Sequence, residues 1–181
     1  SALLASLMMR NVVAQLVASL LRQSDKRVTL SCSDGLYFDQ RRIGRGDGCG
    51  WEAARKCLIN RSIEAAVIES DSRHILGEGL AYDRCLVGVV TDMDGYEGLA
   101  DHDVLEQAKM TRVLRTQIDV VLDEGAGVLN ADIAQVAELA PLCDGEVLLY
   151  STSADNAAVA AHRAEGEGRA VFVRAGQVIL A

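Results

Sequence analysis

The sequence is dominated by short apolar runs that end abruptly in polar residues. Three of them are "IEAAVIE" at 63–69, "CLVGVV" at 85–90 and "IDVVL" at 118–122. Runs of this length are too short for helices and are typical of strands buried on both faces of a parallel sheet. Segments with helical spacing separate them. This alternation predicts an α/β fold, a three-layer sandwich in which helices cover both faces of a mostly parallel sheet.

The remaining segments fit the same plan. Two hairpins are predicted, at "DGLYFDQRRI" and at "RAVFVRAGQVILA". The stretch "IDVVLDEGAGVLNAD" is predicted to form a strand, a glycine turn and a second strand. Helices are predicted over residues 2–22 and in "WEAARKCLIN", "DHDVLEQAKMTRVLRTQ", "IAQVAELAPLC" and "NAAVAAHRAEG". No repeat or linker interrupts this order, so residues 1–181 are expected to form one domain.

Composition narrows the class of protein. A chain of 181 residues that is 50% hydrophobic and contains one proline has the composition of a folded domain with a core. Its formal net charge of -8 argues against a nucleic-acid or anionic-membrane surface. Five cysteines without a C-x-x-C pair predict reduced core residues in a cytoplasmic protein. Arg10 lies within the first predicted helix and argues against a membrane span, and no signal-peptide cleavage pattern follows that helix.

Polar segments follow three of the predicted strands. They are "ESDSRH" at 69–74, "TDMDGYEG" at 91–98 and "NAD" at 130–132. In open α/β sheets, ligands bind beyond the carboxyl ends of the strands. We therefore expect the functional residues of this chain in these three segments.

The segment "VGVVTDMDG" permits a phosphatase interpretation. A strand followed by D-x-D-G is the signature of haloacid-dehalogenase-like phosphatases. In these enzymes the first aspartate attacks phosphorus and the second handles the proton beside Mg²⁺. Asp92 and Asp94 fit these two roles, whereas Tyr96 stands where such enzymes carry a small residue. The plainer alternative is a pair of aspartates in a solvated loop.

Histidines and carboxylates cluster in two places, and such sets hold divalent metal ions. One cluster is "DHD" at 101–103, although adjacent residues of this type are more typical of a helix start. The other lies around His74, which is close in sequence to Glu69, Asp71 and Glu78. Both clusters are candidates for a metal site.

Four long segments carry a resemblance that covers nearly the whole chain. They are "SCSDGLYFDQRRIGRGDGCG", "SIEAAVIESDSRHILGEGLAYDRCLVGVVTD", "LRTQIDVVLDEGAGVLNAD" and "LCDGEVLLYSTSADNAAVAAHRAEGEGRAVFVRAGQVILA". Together, and in this order, they resemble the central, Mur-ligase-like ATPase domain of the cyanophycin synthetase family. The resemblance implies a Mur ligase central-domain fold, which is related to P-loop NTPases. It also implies ATP and Mg²⁺ as cofactors of a ligase that activates a carboxyl group as an acyl phosphate for attack by an amine.

The resemblance assigns roles to three residues. Glu69 corresponds to the family's magnesium-binding glutamate, while Asn130 and Asp132 correspond to its adenine-contacting N-x-D-D motif. Outside that resemblance, Glu69 is a carboxylate at a strand end that pairs with Arg73, and Asn130 is a turn residue.

Other motifs of the family are lost. The opening residues "SALLAS" align with a phosphate loop of the form G-T-N-G-K-T, yet they lack both glycines, and Ala5 replaces the lysine. Such a loop needs glycines so that backbone N–H groups surround the phosphates, and a lysine to reach the terminal ones. The metal-binding histidine of D-H-L-G is absent from "GYEG" at 95–98. Because the chain ends at Ala181, we also expect the C-terminal lobe of the site to be missing.

These losses predict weak or absent ATP binding and no ligase activity of the chain alone. We expect a structural or interaction module instead. Leu3, Leu4, Leu7 and Met8 span more than one face of the first predicted helix, so some of them should be exposed. Contiguous exposed apolar residues mark interfaces. We expect a homodimer through this helix, since a two-fold contact needs one self-complementary patch, or docking to a partner domain.

Overall fold

The structure is a computed structural model that describes residues 2–164 and 168–181, with side chains from residue 10 onward. The chain divides into two compact units, each of which is described by itself. Unit 1 is Ser1–Tyr82 and unit 2 is Asp83–Ala181.

Both units contain helices and strands. The helices are α1 (Ala2–Gln23), α2 (Trp51–Leu58), α3 (Ser72–Glu78), α4 (Met110–Asp119), α5 (Ala134–Ala137) and α6 (Ala157–Ala164). The strands are β1 (Val28–Cys32), β2 (Gly35–Phe38), β3 (Arg41–Arg45), β4 (Ala65–Ile68), β5 (Cys85–Val90), β6 (Val121–Asn130), β7 (Glu146–Ser151), β8 (Arg169–Arg174) and β9 (Gln177–Leu180). Short 3-10 turns occur at Tyr96–Gly98, Ala100–His102, Gln107–Lys109 and Ala140–Leu142.

Unit 1 is built on a four-stranded sheet with the order β3-β2-β1-β4. β1 pairs antiparallel with β2 and parallel with β4. Every residue of β1 is buried, and both α1 and α2 contact β1 and β4. Ala14 and Ala18 of α1 pack against Val28 and Leu30 of β1, and their small side chains bring the helix close to the sheet.

The apolar start of α1 cannot be assessed from side-chain positions. Leu3, Leu4, Leu7 and Met8 lie outside the described side chains, so the contact surface expected there remains a prediction. Among the described residues, none of the helices combines the length and the hydropathy needed to cross a lipid bilayer.

Unit 2 is built on a five-stranded sheet with the order β5-β6-β7-β8-β9. The pairs from β5 to β8 are parallel, and β9 closes the sheet as an antiparallel edge. Ala175 and Gly176 join β8 to β9 with φ angles of 49° and 76°. Positive φ at both positions is what a two-residue type I′ hairpin turn requires, and glycine accepts it without strain. Buried side chains on four of the strands form the core, among them Val90, Val121, Leu129, Leu149 and Phe172.

The predicted α/β class and both predicted hairpins are confirmed. The strands are divided between two sheets rather than lying in one, because β4 pairs with β1 whereas β5 pairs with β6. The apolar run "IEAAVIE" therefore belongs to a different sheet from "CLVGVV" and "IDVVL".

Two predicted elements are corrected. The helix expected over "DHDVLEQAKMTRVLRTQ" begins only at Met110, because Asp103 has a φ of 59° and ends the preceding 3-10 turn. Leu99 and Val104 are buried and fix this loop to the core. The strand, turn and strand expected over 118–132 are replaced by the end of α4, which includes Ile118 and Asp119, and by a single strand, β6. Its pairing with β5 shifts register between Cys85 and Val87, so the extra residues are absorbed as an irregularity and the chain does not reverse.

Candidate functional site

Glu69 follows β4 directly, at the edge of unit 1 where the parallel strands β1 and β4 both end. Its Oε2 accepts hydrogen bonds from the backbone N–H of Ser33, at 2.8 Å, and from the Ser33 hydroxyl, at 3.1 Å. The Ser33 hydroxyl also accepts a hydrogen bond from Asn11 Nδ2, at 2.7 Å. These bonds connect α1 to the ends of two strands.

The other oxygen of Glu69 is in a different situation. The residue is 5% exposed, and within the described part of the chain Oε1 is buried and accepts no hydrogen bond. Burial raises the pKa of Glu69, and although the hydrogen bonds from Ser33 and the charge of Arg10 oppose this rise, the net shift is upward. A buried carboxylate with one unsatisfied oxygen is a site where a cation or a proton is favoured.

Asp47, Asp71 and His74 form a compact cluster in the same unit, with one ligand atom of each lying within 4.8 Å of the others. Asp71 caps α3, since its Oδ1 accepts the backbone N–H of His74 at 2.9 Å. Its Oδ2 lies 2.8 Å from His74 Nδ1. Burial alone would lower the pKa of His74, but the hydrogen bond and charge of Asp71, with the charges of Asp47 and Glu78, raise it above the ordinary value.

A glycine-rich loop brings Asp47 to this place. Gly48 donates its N–H to Cys32 O at 2.9 Å, so the loop after β3 returns to the end of β1. A Cβ at Gly48 would lie 2.6 Å from Cys32 O and 2.7 Å from Gly35 O, and only glycine permits this approach. Cys49 follows and donates its N–H to Asp47 Oδ1 at 2.9 Å. Burial raises the pKa of the Cys49 thiol, and the negative charges of Glu69, Asp47 and Asp71 raise it further.

Glu78 serves a structural purpose at the rim of the cluster. Its Oε2 accepts the backbone N–H of Trp51 at 2.7 Å, at the first turn of α2, where a carboxylate is favourable for the helix dipole. A Cβ at Gly50 would lie 3.2 Å from both Glu78 Oε2 and His74 Nε2, so these side chains are packed against the loop. Of the carboxylates that the sequence groups with His74, the structure places only Asp71 in the metal-type cluster.

In unit 2, Asp132 follows β6 and accepts hydrogen bonds on both carboxylate oxygens. Oδ1 accepts from the Ser151 hydroxyl and from Asn156 Nδ2, the latter at 3.4 Å. Oδ2 accepts from the backbone N–H of Thr152 at 2.9 Å and from its hydroxyl at 2.6 Å. Burial alone would raise the pKa of Asp132, but the donors from Ser151, Thr152 and Asn156 outweigh it and lower that pKa.

Asn130 lies at the end of β6 beside Asp132. Its Nδ2 donates to Thr91 O at 2.8 Å, which links the ends of β6 and β5. Its Oδ1 accepts the backbone N–H of Asp132 at 3.0 Å, as in an Asx-turn. The structure thus brings the two predicted adenine contacts together, and both side chains make local hydrogen bonds.

Asp92 and Asp94 lie in the loop after β5. Asp92 Oδ2 accepts the Thr91 hydroxyl at 2.7 Å, and its Oδ1 accepts the backbone N–H of Asp94 at 3.1 Å. Tyr150 of β7 lies near this loop: burial raises its pKa to about 12, helped by the charges of Asp92 and Asp132. Within the described residues, no cluster of three metal-ligating side chains includes Asp92, Asp94 or the "DHD" segment at 101–103.

The sequence did not identify Asp47 as a member of the cluster. It is separated from Asp71 by α2 and β4, so sequence spacing carries no sign of the contact. The signal that was present is the "RGDGCG" loop after a hairpin, since glycines at that density allow a close return of the chain to the sheet.

The chain was compared with family models, curated proteins and solved structures. No family model matches the chain. A cyanophycin synthetase of Crocosphaera subtropica is 34% identical over 164 residues, which is 90% of this chain and 19% of that protein. One of Synechocystis sp. is 34% identical over 154 residues, which is 84% of this chain and 17% of that protein. The chain therefore spans about a fifth of the length of the curated relatives that it matches.

A solved structure of a UDP-N-acetylmuramoyl-L-alanyl-D-glutamate--2,6-diaminopimelate ligase has a similar fold. It matches with a TM-score of 0.60 and 14% identity, over 89% of this chain and 31% of that one. At this identity the match concerns the fold alone. The predicted resemblance to cyanophycin synthetases and to a Mur-ligase-like fold is confirmed.

Proposed function

We propose that this chain, a relative of part of the cyanophycin synthetases, is a ligase-type domain that does not catalyse ATP-dependent ligation by itself. Its role is that of a structural or interaction module. The proposal concerns the chain alone and leaves the activity of a longer assembly to experiment.

One observation carries the proposal. Asp132, which the resemblance assigns to adenine, accepts hydrogen bonds from three side chains and one backbone N–H of its own unit. Asn130 uses its amide nitrogen and its oxygen on Thr91 and Asp132. A ligand that bound through Asp132 would have to replace bonds that hold the ends of β6 and β7, and one that bound through Asn130 would have to share groups that already link β5 and β6. This arrangement supports a structural role for both residues.

The phosphate-binding end supports the same proposal. Of the residues that align with the phosphate loop, residues 2–6 lie in α1, and "SALLAS" supplies neither glycine nor lysine. Glu69, the candidate magnesium ligand, is buried and has Oε2 engaged by Ser33. Together these side chains do not fit the triphosphate of ATP, although the unsatisfied Glu69 Oε1 fits a cation.

The exposed face of α1 supports an interaction role. Val12, Leu16 and Leu20 are 51%, 58% and 62% exposed. They recur every four residues and therefore lie on one side of the helix, away from the alanines that pack on β1. An apolar stripe of this kind is typical of a contact surface. We propose that a second copy of the chain covers it, in a two-fold contact.

Calorimetric titration of ATP with Mg²⁺ into the full chain tests the loss of the nucleotide site. We expect no dissociation constant tighter than about 1 mM, which corresponds to about -4 kcal/mol. The matched variant is Glu69→Gln, which we expect to give the same weak signal. A low-micromolar constant for the wild type that Glu69→Gln weakens, or release of ADP on incubation, would contradict the proposal.

A further inference from the structure

We propose that unit 1 contains a binding site for a divalent transition-metal ion, with Zn²⁺ as the best fit, formed by Asp47, Asp71 and His74. This site uses other residues than the nucleotide-associated magnesium site to which the family resemblance assigns Glu69. It does not depend on whether the chain binds ATP.

The donor atoms are already close to the positions that an ion requires. One ligand atom of each residue lies within 4.8 Å of the other two, and His74 Nδ1 is 2.8 Å from Asp71 Oδ2. Two donors bound to one Zn²⁺ ion at about 2.1 Å lie about 3–3.5 Å apart. Small side-chain rotations therefore suffice for all three residues to reach one ion.

The backbone positions the donors in advance. Asp71 and His74 stand three residues apart, at the cap and in the first turn of α3, so they face the same side. The loop that returns to β1 at Gly48 holds Asp47, whose Oδ1 also accepts the N–H of Cys49. Asp47 is exposed while Asp71 and His74 are half-buried, so an ion can enter from solvent and water can complete its coordination.

An independent observation indicates that a cation is favoured here. Glu69 is 5% exposed, and in the described part of the chain its Oε1 accepts no hydrogen bond. Its backbone N–H donates to Ser31 O at 2.8 Å, and the Ser31 hydroxyl donates to Gly48 O, so Glu69 lies beside the same loop. Arg10 offsets part of this negative charge at Glu69. A divalent cation between Asp47 and Asp71 would reduce the repulsion among the three carboxylates further.

The donor set selects the class of ion. Mg²⁺ and Ca²⁺ prefer oxygen donors alone, whereas an imidazole nitrogen suits Zn²⁺ and its neighbours in the first transition row. Two carboxylates and one imidazole, with a free side for water, supply three donors of types that Zn²⁺ accepts.

Calorimetric titration of ZnCl₂ into the full chain, in a non-thiol reductant, tests the proposal. We expect one ion per chain and a dissociation constant in the micromolar range, with affinity reduced by at least about tenfold in His74→Gln and in Asp47→Asn. The matched controls are His102→Gln and Asp101→Asn, exposed residues of the 3-10 turn in unit 2. We expect both controls to bind Zn²⁺ as the wild type does.

Two further measurements separate this site from thiol binding and from misfolding. With Co²⁺ in place of Zn²⁺, we expect an absorption spectrum without thiolate charge transfer, because the proposed donors are nitrogen and oxygen. Thermal unfolding in EDTA should give His74→Gln a cooperative transition like that of the wild type. In buffer without EDTA, the same concentration of Zn²⁺ should stabilise the wild type more than the variant. Equal Zn²⁺ affinity in the wild type, His74→Gln and Asp47→Asn, or a thiolate spectrum, would overturn the proposal.

Discussion

The two units each place a carboxylate just beyond the end of a parallel strand, and its surroundings differ between them. In unit 2, both oxygens of Asp132 accept hydrogen bonds from Ser151, Thr152 and Asn156, and the side chain remains in contact with solvent. In unit 1, Glu69 is almost fully buried, and only Oε2 accepts hydrogen bonds, both of them from Ser33. Glu69 lies one residue beyond β4 and Asp132 two residues beyond β6, yet one of these carboxylates accepts hydrogen bonds on both oxygens and the other on one.

This difference separates a stabilising residue from one that costs stability. A carboxylate that accepts several hydrogen bonds favours its charged form and holds the elements that supply the donors. A buried carboxylate with an unsatisfied oxygen disfavours its charged form and raises the free energy of the folded state. Asp132 and Glu69 are therefore expected to respond in opposite directions to substitution and to pH.

The largest expected effect is that of Asp132→Ala. The substitution leaves the donors of Thr152 and Ser151 without their acceptor, and we expect it to lower the free energy of unfolding by about 2 kcal/mol. Urea denaturation followed by circular dichroism measures this change. Asp155→Ala, at an exposed position of the same loop region, is the control and should change stability by less than about 0.5 kcal/mol.

The wild type and Asp132→Ala can also be compared as a function of pH. Because the pKa of Asp132 is lowered in the folded state, its contribution to stability is present above the unfolded pKa of about 3.9 and disappears as pH falls through the folded pKa. The gap between wild type and Asp132→Ala should therefore narrow in acid. A gap that stays constant with pH would contradict the account of Asp132.

Glu69→Gln should raise the free energy of unfolding near neutral pH, in contrast to Asp132→Ala, and by a smaller amount. The pKa of Glu69 is raised by burial in the folded state, so the wild type loses stability as pH rises through that pKa. Glutamine removes this loss while its carbonyl oxygen still accepts the Ser33 bonds. We expect the stability of Glu69→Gln relative to the wild type to increase from pH 4 to pH 7, by about 1.4 kcal/mol for each unit that separates the two pKa values of Glu69. A relative stability that falls over this range would show that Glu69 is better satisfied than the structure indicates.

The smallest expected effect on folding comes from Leu16→Asp. The leucine is 58% exposed, so unit 1 should lose less than about 0.5 kcal/mol of unfolding free energy. The proposed two-fold contact through α1 would be lost, and light scattering should report a dimer for the wild type and a monomer for the variant. Lys26→Gln, which changes the net charge by the same single unit at an exposed position beyond the end of α1, is the control. If the wild type is monomeric at all concentrations tested, the proposed two-fold contact through α1 is wrong.

Local sequence patterns predicted the elements of the fold better than their pairing. Apolar runs located β4 and β5, and the Ala175–Gly176 turn located the last hairpin, because these signals depend on neighbouring residues. The separation of β4 from β5 into different sheets was not predictable, since strand pairing depends on contacts far apart in sequence. The irregularity in β6 was mistaken for a turn because glycine is compatible with both.

The candidate site was predictable where it depends on short segments. The sequence placed Glu69, Asp71 and His74 in one stretch after a strand, and the structure joins two of these to Asp47. Asp47 lies in the loop after β3, and the return of this loop to β1 at Gly48 brings Asp47 close to Asp71 and His74. The spacing of these residues in the sequence does not predict that return. The hydrogen bonds of Asp132 were equally inaccessible, because their donors lie on the segment after β7.

The cysteines of the two units differ in burial, so the rate of their alkylation can be followed for each unit separately. All five are free thiols: Cys32, Cys49 and Cys57 are buried in unit 1, whereas Cys85 and Cys143 are half-exposed in unit 2. Burial raises the pKa of each of the three unit 1 thiols, so few are present as the thiolate that alkylating reagents attack. We therefore expect these thiols to be alkylated only when unit 1 opens, so that the rate of alkylation reports how often unit 1 opens. Mass spectrometry of alkylated peptides would time the opening of unit 1 without any introduced label.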